Sequence, residues 1–256
     1  MSFAIDLGGN TALVTGAGQG VGRAIACALA SAGATVHVND LRDELTEDTI
    51  DTIRAAGGSA SSAPFDVTDY DAVQQVIGAI DPLDILVNNA GNAGTQSWDL
   101  TPFATTSPPD WDRYLGINLY GVMYCTRAAL PKMIDRRYGR IVTIVSDIAR
   151  WGEPYLAPYA AAKAGASGFG RSIAREVGRY GITVNNVALG TLGDTEVDPD
   201  TGQLSDADRK ALSQYIVRRR GRPDDVAPMV TLLVSPLAEW ITGQTIPVNG
   251  GYTVNL

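Results

Sequence analysis

A glycine-rich turn between a short apolar strand and an alanine-rich helix constrains the fold of this chain more than any other feature. The strand is predicted at residues 11–15 (TALVT), and the turn follows as Gly16–Gly22 (GAGQGVG) before a helix that ends near Ala32. Such glycines let the backbone approach a diphosphate closely, while the helix N-terminus presents free N–H groups and the positive end of its dipole. The pattern therefore predicts a dinucleotide site. The cofactor contacts expected in this turn are Gly16, Gln19, Gly20 and Val21.

An acidic residue at the end of the second predicted strand bears on the choice of dinucleotide. This strand covers residues 35–39, and Asp40 follows it directly. A carboxylate in that place accepts hydrogen bonds from the adenosine ribose and repels a 2′-phosphate. Neither Gln19 nor Leu41 is basic, so the sequence favours NAD over NADP, and the nearby Arg42 is the reason to keep NADP open.

Predicted strands and helices alternate along the whole chain. The strands are predicted at residues 11–15, 35–39, 60–65, 84–87, 140–145, 182–187 and 245–248. The helices are predicted at residues 20–32, 44–56, 69–79, 110–137, 154–179, 205–218 and 224–234. This alternation predicts an α/β fold, a single domain over residues 1–256 with a Rossmann-type, doubly wound, parallel sheet of seven strands. Asp66, Asn88, Ser146 and Gly190 each follow a strand, so they should meet at the carboxyl edge, where ligands bind in such sheets.

Ser146, Tyr159 and Lys163 form a candidate proton-transfer set. Tyr159 and Lys163 are four residues apart, so on the predicted helix they share one face. A phenol has a pKa of about 10, and a nearby ammonium is expected to lower it toward neutrality. Ser146 follows an apolar strand and could hold the same substrate oxygen. The set indicates general acid–base catalysis, and the alternative is an ordinary amphipathic pair on a helix surface.

Composition argues against several classes of function. The formal net charge is −8 over 256 residues, which disfavours DNA, RNA and anionic membrane surfaces as partners. Neither a signal peptide nor an apolar run of about 18 residues is recognisable, so a cytoplasmic protein is expected. Cys27 and Cys125 are expected to stay reduced. No His/Cys/Asp cluster has metal-ligand spacing, so no metal is predicted, and His37 is predicted to be a residue of the sheet.

Six motifs make the chain resemble the short-chain dehydrogenase/reductase family over essentially its whole length. They are Thr15–Gly22, Asp66-Val67, Asn88–Gly91, Asn118, the set Ser146/Tyr159/Lys163, and Thr242–Gln244 with Gly250-Gly251. The resemblance implies hydride transfer between NAD(H) and a secondary alcohol or ketone. It implies that Ser146 binds the substrate oxygen, that Tyr159 exchanges its proton and that Lys163 holds the nicotinamide ribose. Asn118, a mediocre helix former within a predicted helix, would hold a relay water.

The resemblance also implies a set of cofactor contacts beyond the glycine-rich turn. Asp66 and Val67 would contact the adenine, and Asn89, Ala90 and Gly91 would line the adenosine side. For the last three residues the alternative is a turn that requires small side chains. The remaining contacts would be Tyr159, Lys163, Gly190, Leu192 and Thr195.

The loop after the sixth predicted strand departs from the family pattern. The usual Pro-Gly is Leu189-Gly190 here, and Asp194 stands where a threonine is expected to bind the nicotinamide carboxamide. Thr195 is the favoured replacement, with Thr191 as the other candidate. Residues 191–217 are predicted to form a lid over the substrate, a small-molecule alcohol or ketone.

Several alternatives remain open at the level of sequence. The segment Ser146–Arg150 (SDIAR) weakly resembles a branch that oxidises cyclic or CoA-linked hydroxyacyl substrates. A second hypothesis is a 3-oxoacyl-thioester reductase that uses NADPH, and a third is a non-catalytic NAD-sensing protein. The resemblance further implies a homotetramer of D₂ symmetry, assembled through the long helices and the last strand.

Overall fold

A computed structural model describes residues 4–91, 101–193 and 205–254 of the chain. Within these ranges seven parallel strands form one sheet in the order β3-β2-β1-β4-β5-β6-β7. The strands are Thr11–Val14 (β1), Thr35–Val38 (β2), Ser59–Ser62 (β3), Ile85–Asn88 (β4), Gly139–Ser146 (β5), Ile182–Leu189 (β6) and Thr245–Val248 (β7). The predicted doubly wound parallel sheet is therefore confirmed.

The described α-helices cover both faces of this sheet. They are Gly20–Ser31 (α1), Glu47–Ala55 (α2), Tyr70–Ala79 (α3), Pro108–Leu115 (α4), Gly121–Arg136 (α5), Ile148–Trp151 (α6), Ala157–Val177 (α7), Asp206–Leu212 (α8) and Pro223–Val234 (α9). Helices α1 and α9 pack with one side of the strands in one apolar cluster, and α3, α5 and α7 pack with the other side in a second cluster. Parallel strands buried on both faces are rich in apolar residues, and β5 and β6 are buried over all but their last residue. Their polar residues Arg140, Thr143, Thr183, Asn185 and Asn186 are buried with them.

The strand order reverses between β1 and β4, which lie side by side although β2 and β3 intervene in sequence. Loops on either side of such a reversal leave the sheet in opposite directions and open a crevice at the carboxyl ends of the strands. The glycine-rich turn after β1 and the Asn89–Gly91 segment after β4 lie at this crevice. The topology therefore places the two predicted cofactor motifs next to each other.

Several predicted helices begin, continue or end differently in the structure. The helix predicted at residues 205–218 ends at Leu212, and the one predicted at residues 44–56 has a 3-10 turn, Asp43–Leu45, before α2. The helix predicted at residues 110–137 is divided by one π-helical turn, Gly116–Tyr120, between α4 and α5. Helix α7 begins at Ala157 and not at residue 154, because Tyr155 adopts a left-handed backbone (φ 70°) and Pro158 is tolerated only in a first turn. Within the described ranges, none of the helices has the length and apolar character required to cross a bilayer.

Candidate active site

A cavity of about 790 Å³ opens at the carboxyl edge of the sheet and gathers most of the predicted site residues. Those that line it are Gly16, Gln19, Val21, Asp40, Asp66, Val67, Asn89, Ala90, Gly91, Ser146, Tyr159, Lys163, Gly190 and Leu192. Gly20 belongs to the same turn, and Asn118 lies behind Gly91. Thr195 lies outside the described residues, whereas Thr191 lines the cavity. The volume suits a small-molecule or cofactor site.

The glycine-rich turn presents the N-terminus of α1 to this cavity. Gly16 is left-handed (φ 60°), and a Cβ on it would lie 2.9 Å from the Cα of Ala90, so only glycine lets the two loops approach. Gln19 is the N-cap residue of α1, and its side chain makes no capping hydrogen bond. The structure describes all residues of α1, and the first turn of this helix carries no acidic residue. Free N–H groups and the positive dipole end are therefore left for an anion such as a diphosphate.

Asp40 lies two residues after β2 and lines the cavity. Its two carboxylate oxygens accept hydrogen bonds from the backbone N–H groups of Gly18 (3.1 Å) and Leu41 (2.9 Å). The exposed Arg42, the candidate for a 2′-phosphate contact, lies 3.8 Å from the Glu44 carboxylate. A negative charge at the ribose position and a neighbouring arginine beside an acidic partner both suit a cofactor without a 2′-phosphate.

The segment after β4 is bonded directly to the glycine-rich turn. The hydroxyl of Thr15 accepts hydrogen bonds from the backbone N–H groups of Asn89 and Ala90, both at 3.0 Å. The Asn89 amide donates to the carbonyls of Thr15 and Gly16, both at 2.9 Å. The Asn89 side chain thus stabilises the glycine-rich turn, and Asn89 also lines the cavity.

Ser146 and Tyr159 meet at the centre of the cavity. Ser146 is the last residue of β5, and Tyr159 lies in the first turn of α7, where the side chains of the two residues are hydrogen-bonded. The Ser146 hydroxyl oxygen also accepts from the N–H of Ile148 at 3.3 Å. The two hydroxyl groups are therefore close enough to bind one substrate oxygen together.

The pKa of Tyr159 corrects one sequence-based expectation. The lysine was expected to lower it, whereas burial raises the pKa of Tyr159 to about 12, and the hydrogen bond with Ser146 opposes this rise only in part. Lys163 lies 5.8 Å from the centre of the Tyr159 ring and donates to the carbonyl of Ile144 at 2.9 Å. Burial also lowers the pKa of Lys163 to about 8, so its ammonium is itself weakened. In the protein without ligands, burial therefore outweighs the charge of the lysine.

Asn118 and Lys163 approach each other across Gly91. A Cβ on Gly91 would lie 2.8 Å from the Oδ1 of Asn118 and 3.2 Å from the Nζ of Lys163. Asn118 is fully buried in the π-helical turn and donates through Nδ2 to the carbonyl of Tyr114 at 3.0 Å. The helix is therefore locally distorted at this asparagine, and the Asn118 amide oxygen faces the lysine across a glycine.

The substitution Gly91→Ala should disturb this arrangement without unfolding the protein. The added methyl would displace the Asn118 amide or the Lys163 ammonium, so we expect kcat to fall by about tenfold to a hundredfold. The matched control is Gly78→Ala on α3, where a Cβ meets no atom within 4 Å. Steady-state kinetics with circular dichroism as a folding check measures both variants. Unchanged kcat in Gly91→Ala would show that these two side chains do not need their present positions.

Several cavity residues were not predicted from the sequence. Asp147 and Trp151 follow Ser146, Tyr252 comes from the C-terminal segment, and Arg220 comes from the basic run before α9. Nothing in the pattern of the basic run Arg218–Arg220 distinguishes Arg220 as the residue that lines the cavity. Among the described residues there is no group of three or more His, Cys, Asp or Glu side chains placed to hold a metal ion.

Comparisons with known proteins agree with this geometry. A family model described as enoyl-(acyl carrier protein) reductase matches residues 16–253. The 3-oxoacyl-[acyl-carrier-protein] reductase FabG of Staphylococcus aureus is 37% identical over 246 residues, which cover 94% of this chain and 97% of that protein. The 7alpha-hydroxysteroid dehydrogenase of Escherichia coli is 34% identical over 252 residues, which cover 96% of this chain and 95% of that protein.

A solved structure from Beutenbergia cavernae superimposes with a TM-score of 0.85 at 32% identity, and the match covers 96% of this chain and 98% of that one. It is described as a candidate NAD(P)-dependent gluconate 5-dehydrogenase with NADP bound at low occupancy. The similar proteins therefore differ in their substrates, and they leave the choice between NAD and NADP to the residues of this chain.

Proposed function

The chain belongs to the short-chain dehydrogenase/reductase family of oxidoreductases, and on this premise we propose that it transfers a hydride between NAD(H) and a secondary alcohol or ketone. The observation that carries the proposal is the hydrogen-bonded pair Ser146 and Tyr159, with Lys163 buried on the same helix, beside the glycine-rich turn in one cavity. The nicotinamide, when bound, supplies the hydride acceptor or donor.

Ser146 and Tyr159 perform the proton transfer in this proposal. In the oxidising direction Ser146 holds the substrate oxygen, and the phenolate of Tyr159 accepts the hydroxyl proton as the carbinol C–H bond breaks and the carbonyl forms. In the reducing direction Tyr159 returns that proton to the carbonyl oxygen. A phenol whose pKa is raised to about 12 is a ready proton donor, and a cationic ring at the site would favour its phenolate in the oxidising direction.

Lys163 and Asn118 have supporting roles in the proposal. The Lys163 ammonium lies near the Tyr159 ring and is placed to bind the nicotinamide ribose. The Asn118 amide oxygen, which faces Lys163 across Gly91, is placed to hold a water that passes protons between Lys163 and solvent. Both assignments rest on position and on what the family resemblance implies.

The proposal of NAD as the cofactor rests on Asp40. The Asp40 carboxylate lines the cavity after β2 and would accept hydrogen bonds from the ribose hydroxyls. The relative from Beutenbergia cavernae holds NADP, so the family alone does not decide the matter. Gly16, Gln19, Gly20 and Val21 would bind the diphosphate, Asp66 and Val67 the adenine, and Gly190 with Leu192 the nicotinamide side.

The substitution Asp40→Asn tests whether Asp40 recognises the adenosine ribose of the cofactor. It removes the charge that repels a 2′-phosphate and keeps one acceptor oxygen, so that one of the two backbone N–H groups bonded to Asp40, that of Gly18 or that of Leu41, can still donate to the side chain. We expect the ratio of kcat/KM for NADP to that for NAD to rise by about tenfold or more. The control Asp48→Asn makes the same change in net charge on α2 and should leave the ratio unchanged. An equal ratio in wild type and Asp40→Asn would mean that the ribose is recognised elsewhere.

A second candidate function is reduction of a 3-oxoacyl thioester, which the similarity to FabG favours. Asp40 argues against NADPH, the cofactor of that hypothesis, and a comparison of NADH with NADPH on an acyl thioester would separate the two. A non-catalytic NAD sensor is disfavoured because Tyr159 and Lys163 are both present and lie in the cavity.

We also propose a substrate class, a lid, a cellular location and an oligomeric state for the enzyme. The substrate is a small alcohol or ketone, residues 191–217 act as its lid, and Thr195 or Thr191 binds the nicotinamide carboxamide. The chain is proposed to act in the cytoplasm as a homotetramer, with no nucleic acid or membrane as a partner. The exposed apolar side chains of Tyr120 and Met123 at α5 and of Leu237 and Trp240 near β7 support interfaces at these two places.

A further inference from the structure

The residue directly after Ser146 is a buried carboxylate that binds the far end of the chain. Asp147 is only 2% exposed. Its Oδ2 accepts hydrogen bonds from the amide of Asn249 and from the hydroxyl of Thr253, the latter at 2.9 Å, and its Oδ1 is paired with Arg150. Arg150 in turn donates to the Thr253 hydroxyl at 3.4 Å. One side chain therefore ties the turn after β7 to the end of β5.

The segment held by Asp147 brings an aromatic ring into the cavity. Within Asn249–Thr253, the Asn249 amide donates to the Thr253 carbonyl at 2.9 Å and its Oδ1 accepts from the Gly251 N–H at 2.9 Å. Tyr252 lies inside this closed turn and lines the cavity. The hydrogen bonds of Asp147 thus fix the position of Tyr252 relative to Ser146.

Tyr252 forms an aromatic wall together with Trp151, the last residue of α6. Their ring centres are 5.9 Å apart at an angle of 65°, and Tyr252 also packs on Tyr215 at 5.0 Å. Trp151 is 64% exposed although it lines the cavity, so much of its ring is available for a ligand. Ile148 and Leu156 add apolar surface nearby.

The charge beside this wall is negative. Glu153 lines the cavity two residues after Trp151, and the Asp147 carboxylate lies behind Tyr252, where both acidic groups raise the pKa of the Tyr252 phenol in addition to its burial. Arg150 is paired with Asp147, but the Glu153 carboxylate would still repel a carboxylated or phosphorylated group on the substrate here. A neutral, apolar ring would cover the exposed face of Trp151 and remove apolar surface from water.

We propose that Asp147 is a positioning residue and that the aromatic wall it supports, Trp151 with Tyr252, binds the apolar ring of a cyclic secondary alcohol or ketone next to Ser146. The inference rests on the proposed function for the identity of the reacting group. It adds to that function a substrate class and a residue that acts only through the C-terminal turn.

The proposed preference for a cyclic over an open-chain alcohol is tested with two six-carbon alcohols, cyclohexanol and 2-hexanol. Both binding and turnover are measured. We expect the wild-type chain to bind cyclohexanol at least about fivefold more tightly in ligand-observed NMR titrations, as one aromatic contact can supply. Trp151→Ala should remove the preference, and Trp151→Phe should retain most of it. The control Trp240→Ala removes a 96% exposed tryptophan that is not among the residues lining the cavity, and should leave the preference for cyclohexanol unchanged.

Equal binding of the two alcohols by wild type, tighter binding of the carboxylated sugar acid gluconate, or the same loss in Trp240→Ala would overturn the inference. Ring binding that depends on Trp151, without hydride transfer to NAD or NADP from any alcohol, would refute the proposed function and leave the ring site in place. The binding and turnover measurements thus separate the two.

The role of Asp147 is tested with the variant Asp147→Asn and with a swap, a double variant that exchanges the side chains at positions 147 and 249. In Asp147→Asn an amide donor faces the amide of Asn249, so we expect faster hydrogen exchange of the Gly251 and Tyr252 amides and a KM for cyclohexanol raised about tenfold, with kcat nearly unchanged. The double variant Asp147→Asn with Asn249→Asp restores one carboxylate and one amide and should restore much of the KM.

Asp84→Asn provides the control, because Asp84 is also 2% exposed and pairs with Arg136 at 3.1 Å, outside the set of residues that lines the cavity. It should lower stability and leave the ring preference unchanged. Unchanged exchange and KM in Asp147→Asn, or a swap no better than the single variant, would refute the positioning role.

Discussion

The variant Tyr159→Phe is expected to lose about a thousandfold in kcat while it still binds NAD, since general acid–base catalysis typically contributes about 10²–10⁴-fold. The change removes one hydroxyl and keeps the ring, which lies 5% exposed beside Tyr114 with the ring centres 6.2 Å apart. That hydroxyl is the group proposed to exchange the proton with the substrate oxygen. Stopped-flow formation of reduced nicotinamide measures the chemical step, and calorimetry measures NAD binding.

Tyr155→Phe is the matched control for this prediction. Tyr155 lies four residues before Tyr159 and is 52% exposed, so the same loss of a hydroxyl there should leave kcat near the wild-type value. Activity like that of wild type in Tyr159→Phe would contradict the proposed proton transfer. A loss of equal size in Tyr155→Phe would show that the effect comes from the surroundings of the helix.

Lys163→Met is expected to have the second largest effect, a fall in kcat/KM of about a hundredfold. Methionine fills a similar volume but has no charge to bind the nicotinamide ribose or to favour the Tyr159 phenolate. It also cannot donate to the Ile144 carbonyl. Weaker NAD binding and a lower kcat should therefore appear together. Lys132→Met on α5 should change neither, because the Lys132 ammonium donates to the carbonyls of Gly78 and Ile80 and is not among the residues lining the cavity.

Lys163→Met should also change how the free energy of unfolding depends on pH. Burial lowers the pKa of folded Lys163 to about 8 from its ordinary value of 10.5, so between these values the unfolded chain binds more protons than the folded chain. The contribution of this lysine to the free energy of unfolding therefore rises with pH across that window. The pKa of Tyr159 is about 12 in the folded chain, so this tyrosine lowers the free energy of unfolding with rising pH, but only above pH 10. Urea unfolding between pH 8 and 10 should show a smaller rise for Lys163→Met, and an unchanged slope would contradict the burial argument.

The sheet and the position of the catalytic set could be predicted from sequence because their signals are local. Strand and helix periods repeat along the chain. Asp40 lies two residues after β2, Ser146 is the last residue of β5, and Gly190 directly follows β6. In a parallel sheet the ends of all strands lie at one edge, so the site follows once the strands are assigned. The i, i+4 spacing of Tyr159 and Lys163 likewise needs only a helix.

The properties that sequence did not predict depend on contacts between distant segments. The bond between Asn249 and Asp147 joins residues 102 positions apart, and nothing near either residue signals it. The raised pKa of Tyr159 comes from burial by several elements, whereas the sequence shows only the nearby lysine. Asn89 was assigned to the cofactor by position, but its amide is bonded to the turn that follows β1.

The central claim is tested most directly by near-ultraviolet absorbance of reduced nicotinamide, with the purified wild-type chain, NAD or NADP, and cyclic, steroidal, aliphatic and CoA-linked secondary alcohols. The proposed function predicts reduction of NAD in preference to NADP with at least one class of alcohol, and no reduction in Tyr159→Phe. Absence of reduction with every alcohol, while calorimetry shows that NAD binds, would contradict the claim that Ser146, Tyr159 and Lys163 catalyse hydride transfer to this cofactor.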